Sequence, residues 1–225
     1  PEWAAKMTVK DDSGRITRDG FLLHHSYGAA RTYSFFEDIF LKKGGKVLSD
    51  DNKQSLLNTD EGYESMQYLY DLVYKYEASL LRPKDPEGNS GKLAKEESAS
   101  GTQLGYWAYG TFDTVNPESA PYIKALITPQ VAGKPEIFHS GPGWNWAVNG
   151  KSKVADEAFQ FLKYVADHGG DIFESGIVLP RRNWVEEYPA AKNLRDISSW
   201  LYMIKNSQVR FRSKEELFTT AERNE

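Results

Sequence analysis

Aromatic side chains beside glycine are the groups in this chain whose type and spacing best suit binding chemistry. Aromatic residues make up 13% of the 225 residues, and two segments concentrate them, Tyr106-Trp-Ala-Tyr109 and Trp144-Asn-Trp146. The glycine before each segment lets a flat ligand approach the backbone closely. Indole and phenol rings can stack on the apolar face of a sugar, while amide, carboxylate and guanidinium groups bond to its hydroxyls. The same residue types would also suit a peptide or an aromatic ligand.

A role in the core competes with a binding role for each tryptophan. If residues 144–149 form a strand, Trp144 and Trp146 share one face and Asn145 points to the other. Burial statistics favour a core position for any single tryptophan, whereas the flanking glycines favour a binding position. The sequence leaves both roles open.

Neither metal chemistry nor catalysis has support in the motifs of the chain. His24 and His25 lie side by side on a presumed strand and would face opposite ways, which leaves at most one, such as His25, to reach a ligand. The chain has no cysteine, which excludes disulfides, thiolate nucleophiles and Cys-ligated zinc. The nucleophile-elbow, P-loop and dinucleotide-binding patterns are absent. The pair Arg181-Arg182 is more often a surface ion-pairing group than a site.

Composition and charge narrow the class of protein further. With 40% apolar residues the chain is expected to form a packed core, either as one large domain or as two lobes. The net charge of −4 and the lack of long basic runs argue against nucleic acid as a partner. No apolar run has the length of a membrane-spanning helix, and no signal segment opens the chain. Because it starts at Pro1 without methionine, we expect a piece of a longer protein.

Hydrophobic periodicity and capping residues predict mainly helices. The predicted helices span 1–10, 32–43, 59–76, 152–168 and 189–206, with a brief one at 92–98. Gly44-Gly45 is expected to end the second of these helices. Thr59 is the expected N-cap of the third, with Tyr63, Met66, Tyr70 and Val73 in register on its apolar face. The helix over 152–168 has a wide apolar face, which predicts that it packs against a large apolar surface.

Short apolar runs predict strands between these helices, at 20–27, 46–48, 103–107, 122–128 and 144–149. Strands separated by helices are typical of an α/β fold. Ligand sites in such folds lie at strand ends and between lobes, which is where both aromatic segments are expected.

Several segments resemble, in order, the extracellular solute-binding proteins of family 1, the maltose-binding-protein-like sugar receptors of ABC importers. The resemblance covers nearly all of the chain but only the latter part of a family member. No single segment is specific, whereas the ordered set is. The segments are Phe36–Leu48, Thr59–Tyr74, Gly105–Tyr109, Gly143–Lys153 with Asp156–Leu162 behind it, and Gly176–Arg182.

The resemblance also implies which residues contact a ligand. The family's Gly-Pro-Trp segment, whose tryptophan stacks on sugar, corresponds to Gly105-Tyr-Trp107, or in a second register to Gly110-Thr-Phe112. Trp144 matches a residue that borders the cleft, Asn145 is its polar neighbour, and Arg182 falls on the family's matching arginine. Tyr27, Tyr109 and His25 complete the expected set of ligand contacts, on their residue types and not on a matched family position.

What the resemblance implies for the whole protein is a two-lobed α/β receptor of the periplasmic-binding-protein-like type II fold. Residues 1–142 would form the second, C-terminal lobe, 143–180 a hinge strand and helices of the first lobe, and 181–225 a helical return to the second lobe. Such a receptor closes on its ligand by a hinge and then docks on the permease subunits of an ABC transporter.

Further expectations follow from the same resemblance. The protein would be monomeric when full length, would need no cofactor, and would lie outside the cytoplasm, either periplasmic or lipid-anchored. Two alternatives stay open: a carbohydrate-active enzyme domain, and a receptor of the same fold for a non-sugar solute.

Overall fold

Helices of 6 to 15 residues, connected by irregular segments, make up most of the regular structure in the described part of the chain. The computed structural model describes residues 1–23, 29–51, 53–80, 88–101, 104–140, 146–168, 186 and 188–209. The helices are α1 (Glu2–Met7), α2 (Ala29–Lys42), α3 (Asp60–Tyr74), α4 (Gly88–Ala94), α5 (Ala108–Val115), α6 (Ala155–Asp167) and α7 (Ile197–Lys205). Single 3-10 turns occupy Ala120–Tyr122 and Pro189–Asn193. None of the helices in the described ranges is long and apolar enough to cross a bilayer.

Two small sheets hold the strands that the structure describes. Strands β1 (Val9–Lys10) and β2 (Ile16–Arg18) form an antiparallel hairpin. Strands β3 (Phe138–Ser140) and β4 (Ser207–Val209) pair in parallel, so that the residues after α7 join the segment after α5.

Most of the predicted strands are wrong for the residues that the structure describes. Residues 104–107 form a turn that leads into α5, and neither 123–128 nor 146–149 is a strand. At 20–23 and 46–48 only single bridges form, Leu22 with Gly101 and Leu48 with Ser55. An apolar run becomes a strand only where a neighbouring segment pairs with it. The residues 24–27, 103, 144 and 145 of these runs lie outside the described residues.

Helices α2 and α3 pack together around phenylalanine side chains. Phe36 and Phe40 stack with ring centroids 5.5 Å apart, and both belong to one buried cluster with Leu69 of α3. Gly44 has φ +95° and the amide of Gly45 donates to the carbonyl of Phe40, which confirms the predicted glycine end of α2. Thr59 is confirmed as the N-cap of α3, since its hydroxyl accepts a hydrogen bond from the Gly62 amide.

Of the predicted apolar face of α3, only Val73 lies toward the core, where it is half-buried against the cluster of Phe36 and Phe40. The buried residues are Gly62, Ser65, Leu69 and Leu72, whereas Tyr63, Met66 and Tyr70 are exposed. Small residues at the start of the buried face permit close packing, because a β-carbon on Gly62 would lie 2.0 Å from the carbonyl oxygen of Leu57. Tyrosine is stable at a surface because its hydroxyl stays hydrated.

A second buried cluster joins α4, α5 and α7. It contains Ala94, Tyr106, Tyr109 and Phe112, with Trp200 of α7 packed against it. The predicted helix over 189–206 is interrupted here, because Asp196 has φ +52° between the 3-10 turn and α7. This left-handed residue lets α7 start in a new direction and pack on α5.

Helix α6 has no buried residue, contrary to the packing that its apolar face predicts. Phe159 and Phe161 are exposed, and Ala155, Ala158 and Leu162 are only partly covered. The wide apolar face is therefore unpartnered among the described residues.

Candidate functional site

Trp107 presents an open indole at the start of α5. It is the N-cap residue of the helix, with φ −54° and ψ −22°, and its side chain is 51% exposed. Gly105 supports the ring from the backbone side, because a β-carbon there would lie 2.4 Å from the indole Nε1 and 2.5 Å from Cδ1. The pyrrole edge thus rests against the chain while half of the side chain meets solvent.

A layer of aromatic rings lies beneath this end of α5. The ring of Tyr106 meets that of Tyr109 at 5.0 Å and that of Trp200 at 5.7 Å, both edge to face. Tyr109 in turn meets Phe112 at 5.9 Å in the same manner. Edge-to-face contacts of this kind add to the stabilisation from burial and restrict ring orientation. The backbone that carries Trp107 is therefore supported on a packed layer.

Polar contacts from the turn before α7 reinforce the layer. The Tyr109 hydroxyl donates to Asp196 Oδ2 at 2.6 Å, and the Ala125 amide donates to the same oxygen at 2.7 Å. The Arg195 guanidinium lies 4.8 Å from the Tyr109 ring centroid and pairs with Asp113 at 2.7 Å. Burial, together with the hydrogen bond to Asp196, raises the pKa of the Tyr109 hydroxyl and keeps it a donor.

The structure describes three of the eight predicted site residues and separates them into two groups. Trp107 is open to solvent, although it lies in a turn and not at the end of a strand. Tyr109 and Phe112 are core residues, with Phe112 only 3% exposed, so neither has a free ring face here. The geometry therefore favours Trp107 over Phe112 as the stacking residue. The other five predicted contacts lie outside the described residues: His25, Tyr27, Trp144, Asn145 and Arg182.

The contribution of Arg195 and Asp196 to the site is not apparent from the sequence. They lie more than 80 residues after the side chains of α5 that they contact, Tyr109 and Asp113. The available signal was an aspartate before a helix, which is typical of an N-cap. Asp196 makes no side-chain bond to the helix that follows it, because its carboxylate contacts α5 and Ala125 instead. In the described ranges, no group of three His, Asp or Glu side chains could hold a metal ion.

Comparison with known proteins gives a family match and several structural similarities. Residues 1–201 match the family of bacterial extracellular solute-binding proteins. An ABC transporter solute-binding protein from Thermotoga lettingae bound with α-D-tagatose is similar, with TM-score 0.70, 18% identity and coverage of 90% of this chain and 50% of that one. No curated protein sequence matches the chain.

Two further solved structures resemble the chain at similar levels. A maltose/maltodextrin-binding domain from Bdellovibrio bacteriovorus bound to maltotriose has TM-score 0.68, 18% identity and coverage of 95% and 55%. An ABC substrate-binding protein from Listeria monocytogenes in complex with cycloalternan has TM-score 0.65, 14% identity and coverage of 95% and 52%. The chain thus spans about half the length of these structures. The likeness confirms the predicted fold class, a periplasmic-binding-protein-like type II α/β fold that is rich in helices.

Proposed function

Because the chain belongs to the family of bacterial extracellular solute-binding proteins, we propose that it is part of the sugar-binding component of an ABC importer. The ligand is a sugar or an oligosaccharide, which the protein captures by aromatic stacking and by closure of two lobes about a hinge. The solved structures that it resembles were obtained with tagatose, maltotriose and cycloalternan, which supports this class of ligand.

The observation that carries the proposal is the half-exposed indole of Trp107 on a packed support. An exposed tryptophan on a mobile loop would lose conformational entropy when it stacks on a ligand. The ring of Trp107 instead rests against Gly105 at the start of α5, which restricts its orientation before binding. A flat apolar surface of this kind complements the C–H face of a pyranose.

The remaining contacts and the lobe boundaries belong to the same proposal. Trp144 supplies a second stacking surface, and Tyr27, His25, Asn145 and Arg182 bond to sugar hydroxyls. Residues 1–142 and 181–225 form the second lobe and 143–180 the hinge and first-lobe segment. Tyr109 and Phe112 support the site from beneath without contacting the sugar, as their burial indicates.

The proposed protein binds its ligand without transforming it and needs no cofactor. The family consists of solute-binding proteins, and the chain lacks the nucleophile-elbow, P-loop and dinucleotide-binding patterns. Its partners are a carbohydrate and the permease subunits of an ABC transporter, and it acts as a monomer outside the cytoplasm, periplasmic or anchored by a lipid.

Calorimetry of the full-length protein tests the proposal with maltotriose, α-D-tagatose and cycloalternan as probes. We expect binding to at least one of them, and the Trp107→Ala variant should lose about 1–3 kcal/mol of affinity because its stacking surface is removed. Trp3→Ala is the matched control, since Trp3 is an exposed tryptophan of α1, and it should bind as the wild type does.

Three results would contradict this proposal. Wild-type protein that binds no carbohydrate in the panel is not a receptor for this class of sugar. Sugar binding that survives Trp107→Ala unchanged would place the ligand elsewhere. If Arg182→Ala alone abolished binding of a charged solute, the alternative of a non-sugar receptor would replace the proposal.

A further inference from the structure

The turn Arg195-Asp196 contacts two residues of α5 that lie one helical turn apart, Tyr109 and Asp113. Arg195 bonds to Asp113 near the end of the helix and covers the ring of Tyr109, while Asp196 accepts the Tyr109 hydroxyl. Arg195 also donates to the carbonyl of Ala120 at 3.4 Å, beyond the end of α5. Two adjacent residues therefore hold both the buried face of the helix and the segment that follows it.

The backbone of Asp196 indicates that this arrangement is specific. Its φ of +52° lies in the left-handed region, which Asp adopts more readily than most residues but still at a cost relative to glycine, and which persists where the surroundings determine it. The carboxylate does not cap α7 and instead collects two hydrogen bonds on Oδ2, from Tyr109 and Ala125. Asp196 thus keeps a left-handed backbone conformation, and its carboxylate bonds to residues outside α7.

The path from this turn to the indole of Trp107 is short. Tyr109 lies two residues after Trp107, and its ring contacts that of Tyr106, the residue before Trp107. The Trp107 carbonyl accepts a hydrogen bond from the Gly110 amide, so the indole is attached to the first turn of α5. A shift of Tyr109 within the core would therefore shift the backbone from which the indole projects.

We propose that Asp196, together with Arg195, is a positioning residue for the Trp107 indole. Asp196 accepts a hydrogen bond from the Tyr109 hydroxyl and so fixes the first turn of α5. The first turn sets the angle at which the Trp107 indole faces a ligand. The inference rests on the proposed function in that the ligand is a sugar, but the positioning of the ring can be observed without one.

Three variants distinguish the effect of the Asp196 side-chain hydrogen bonds from the effect of its backbone conformation. Asp196→Gly removes the carboxylate but keeps a residue that tolerates positive φ, so that any effect comes from the lost bonds. Tyr109→Phe deletes the other partner of the same bond by a single oxygen atom. Asp196→Asn should rescue the arrangement, because both hydrogen bonds use one oxygen and an amide carbonyl can accept them.

Tyr202→Phe is the matched control. The Tyr202 hydroxyl of α7 donates to Glu136 at 2.6 Å, a tyrosine–carboxylate bond of the same length that does not involve α5. Loss of this bond should leave Trp107 undisturbed.

The readout is fluorine NMR of the full-length protein made with fluorinated tryptophan, in which Trp107→Phe identifies the Trp107 resonance. We expect that resonance to shift or broaden in Asp196→Gly and in Tyr109→Phe, and to coincide with wild type in Asp196→Asn and Tyr202→Phe. Calorimetry with maltotriose should show binding weakened roughly tenfold by Asp196→Gly and about threefold by Tyr109→Phe. The double variant should be no weaker than Asp196→Gly alone, because the two residues act through one bond.

A Trp107 resonance that stays unchanged in folded Asp196→Gly overturns the positioning role. If that variant does not fold, an unchanged resonance in Tyr109→Phe overturns it instead. A resonance that moves as expected in a protein that binds none of the sugars supports the positioning role and rejects the sugar-binding function, so the two failures can be told apart.

Discussion

At the scale of single residues, Gly105 controls how closely the Trp107 indole lies against the chain. The space where a β-carbon would stand is occupied by the pyrrole edge of the ring. Gly105 does not have a positive φ, so a larger residue there is limited by sterics and not by backbone conformation. Gly105 therefore affects the site only through the position of the Trp107 indole.

We predict that Gly105→Ala displaces the Trp107 ring and weakens sugar binding about tenfold, equal to about 1.4 kcal/mol, because the new methyl group overlaps the ring edge. Isothermal titration with the sugar that binds best in the panel measures the loss.

Gly110→Ala, inside α5, provides the control for Gly105→Ala, which lies in the turn before that helix. A β-carbon at Gly110 meets nothing within 4 Å, and alanine favours a helix interior by about 0.5–1 kcal/mol. We expect this variant to be more stable with unchanged affinity. Equal affinities for the two variants would show that Gly105 does not set the ring position.

At the scale of elements, α3 shows how a helical period can leave the buried face undetermined. Tyr63, Met66 and Tyr70 repeat with the same spacing as Gly62, Ser65 and Leu69, one residue out of step. Each set forms one face of the helix. Packing against α2 decides that the face with Gly62, Ser65 and Leu69 is the buried one. Hydrophobicity favoured the wrong set because glycine and serine, which permit close approach, carry no apolar signal.

We predict that Leu72→Ala lowers the free energy of unfolding by about 2–5 kcal/mol, because Leu72 is 2% exposed and its removal leaves a cavity. The predicted apolar face supplies the control, since Met66→Ala should change stability by less than about 0.5 kcal/mol. Urea unfolding of both variants measures the difference. A larger loss of stability in Met66→Ala than in Leu72→Ala would contradict the buried face seen in the structure and support the apolar face that the sequence predicts.

At the scale of the whole molecule, the apolar face of α6 is not covered by any of the residues that the structure describes. The helix has no buried residue, and its exposed Phe159 and Phe161 lie within the segment 143–180 that we propose to enter the first lobe. The chain spans about half of the solved structures that it resembles. We infer that α6 packs on residues outside these 225 in a protein as long as those relatives.

Hydrogen exchange tests this packing by comparing the full-length protein with the chain of residues 1–225. The amides of α6 should exchange at least about tenfold more slowly in the longer protein, since each 1.4 kcal/mol of protection slows exchange tenfold. The amides of α5 should exchange alike in both, because the partners of Tyr109 and Phe112 lie within the 225 residues. Equal exchange of α6 in the two proteins would contradict the inferred packing.

The sequence by itself determined the features that depend on neighbouring residues. Thr59 capping α3 and Gly44 ending α2 are local hydrogen-bond and dihedral effects, which a few adjacent residues specify. The ordered segments also sufficed to identify the family, since their order along the chain does not require coordinates.

Tertiary structure alone decided which rings are open and which are enclosed. Trp107, Tyr109 and Phe112 are equally aromatic in the sequence, yet one faces solvent and two lie in the core, because α5 starts at Ala108 and rests on α7. The hydrogen bond between Tyr109 and Asp196 was likewise not predictable from the sequence, since it joins residues 87 positions apart. Burial and long-range contacts depend on how elements pack, and the residue pattern of a single helix or strand does not specify its partner.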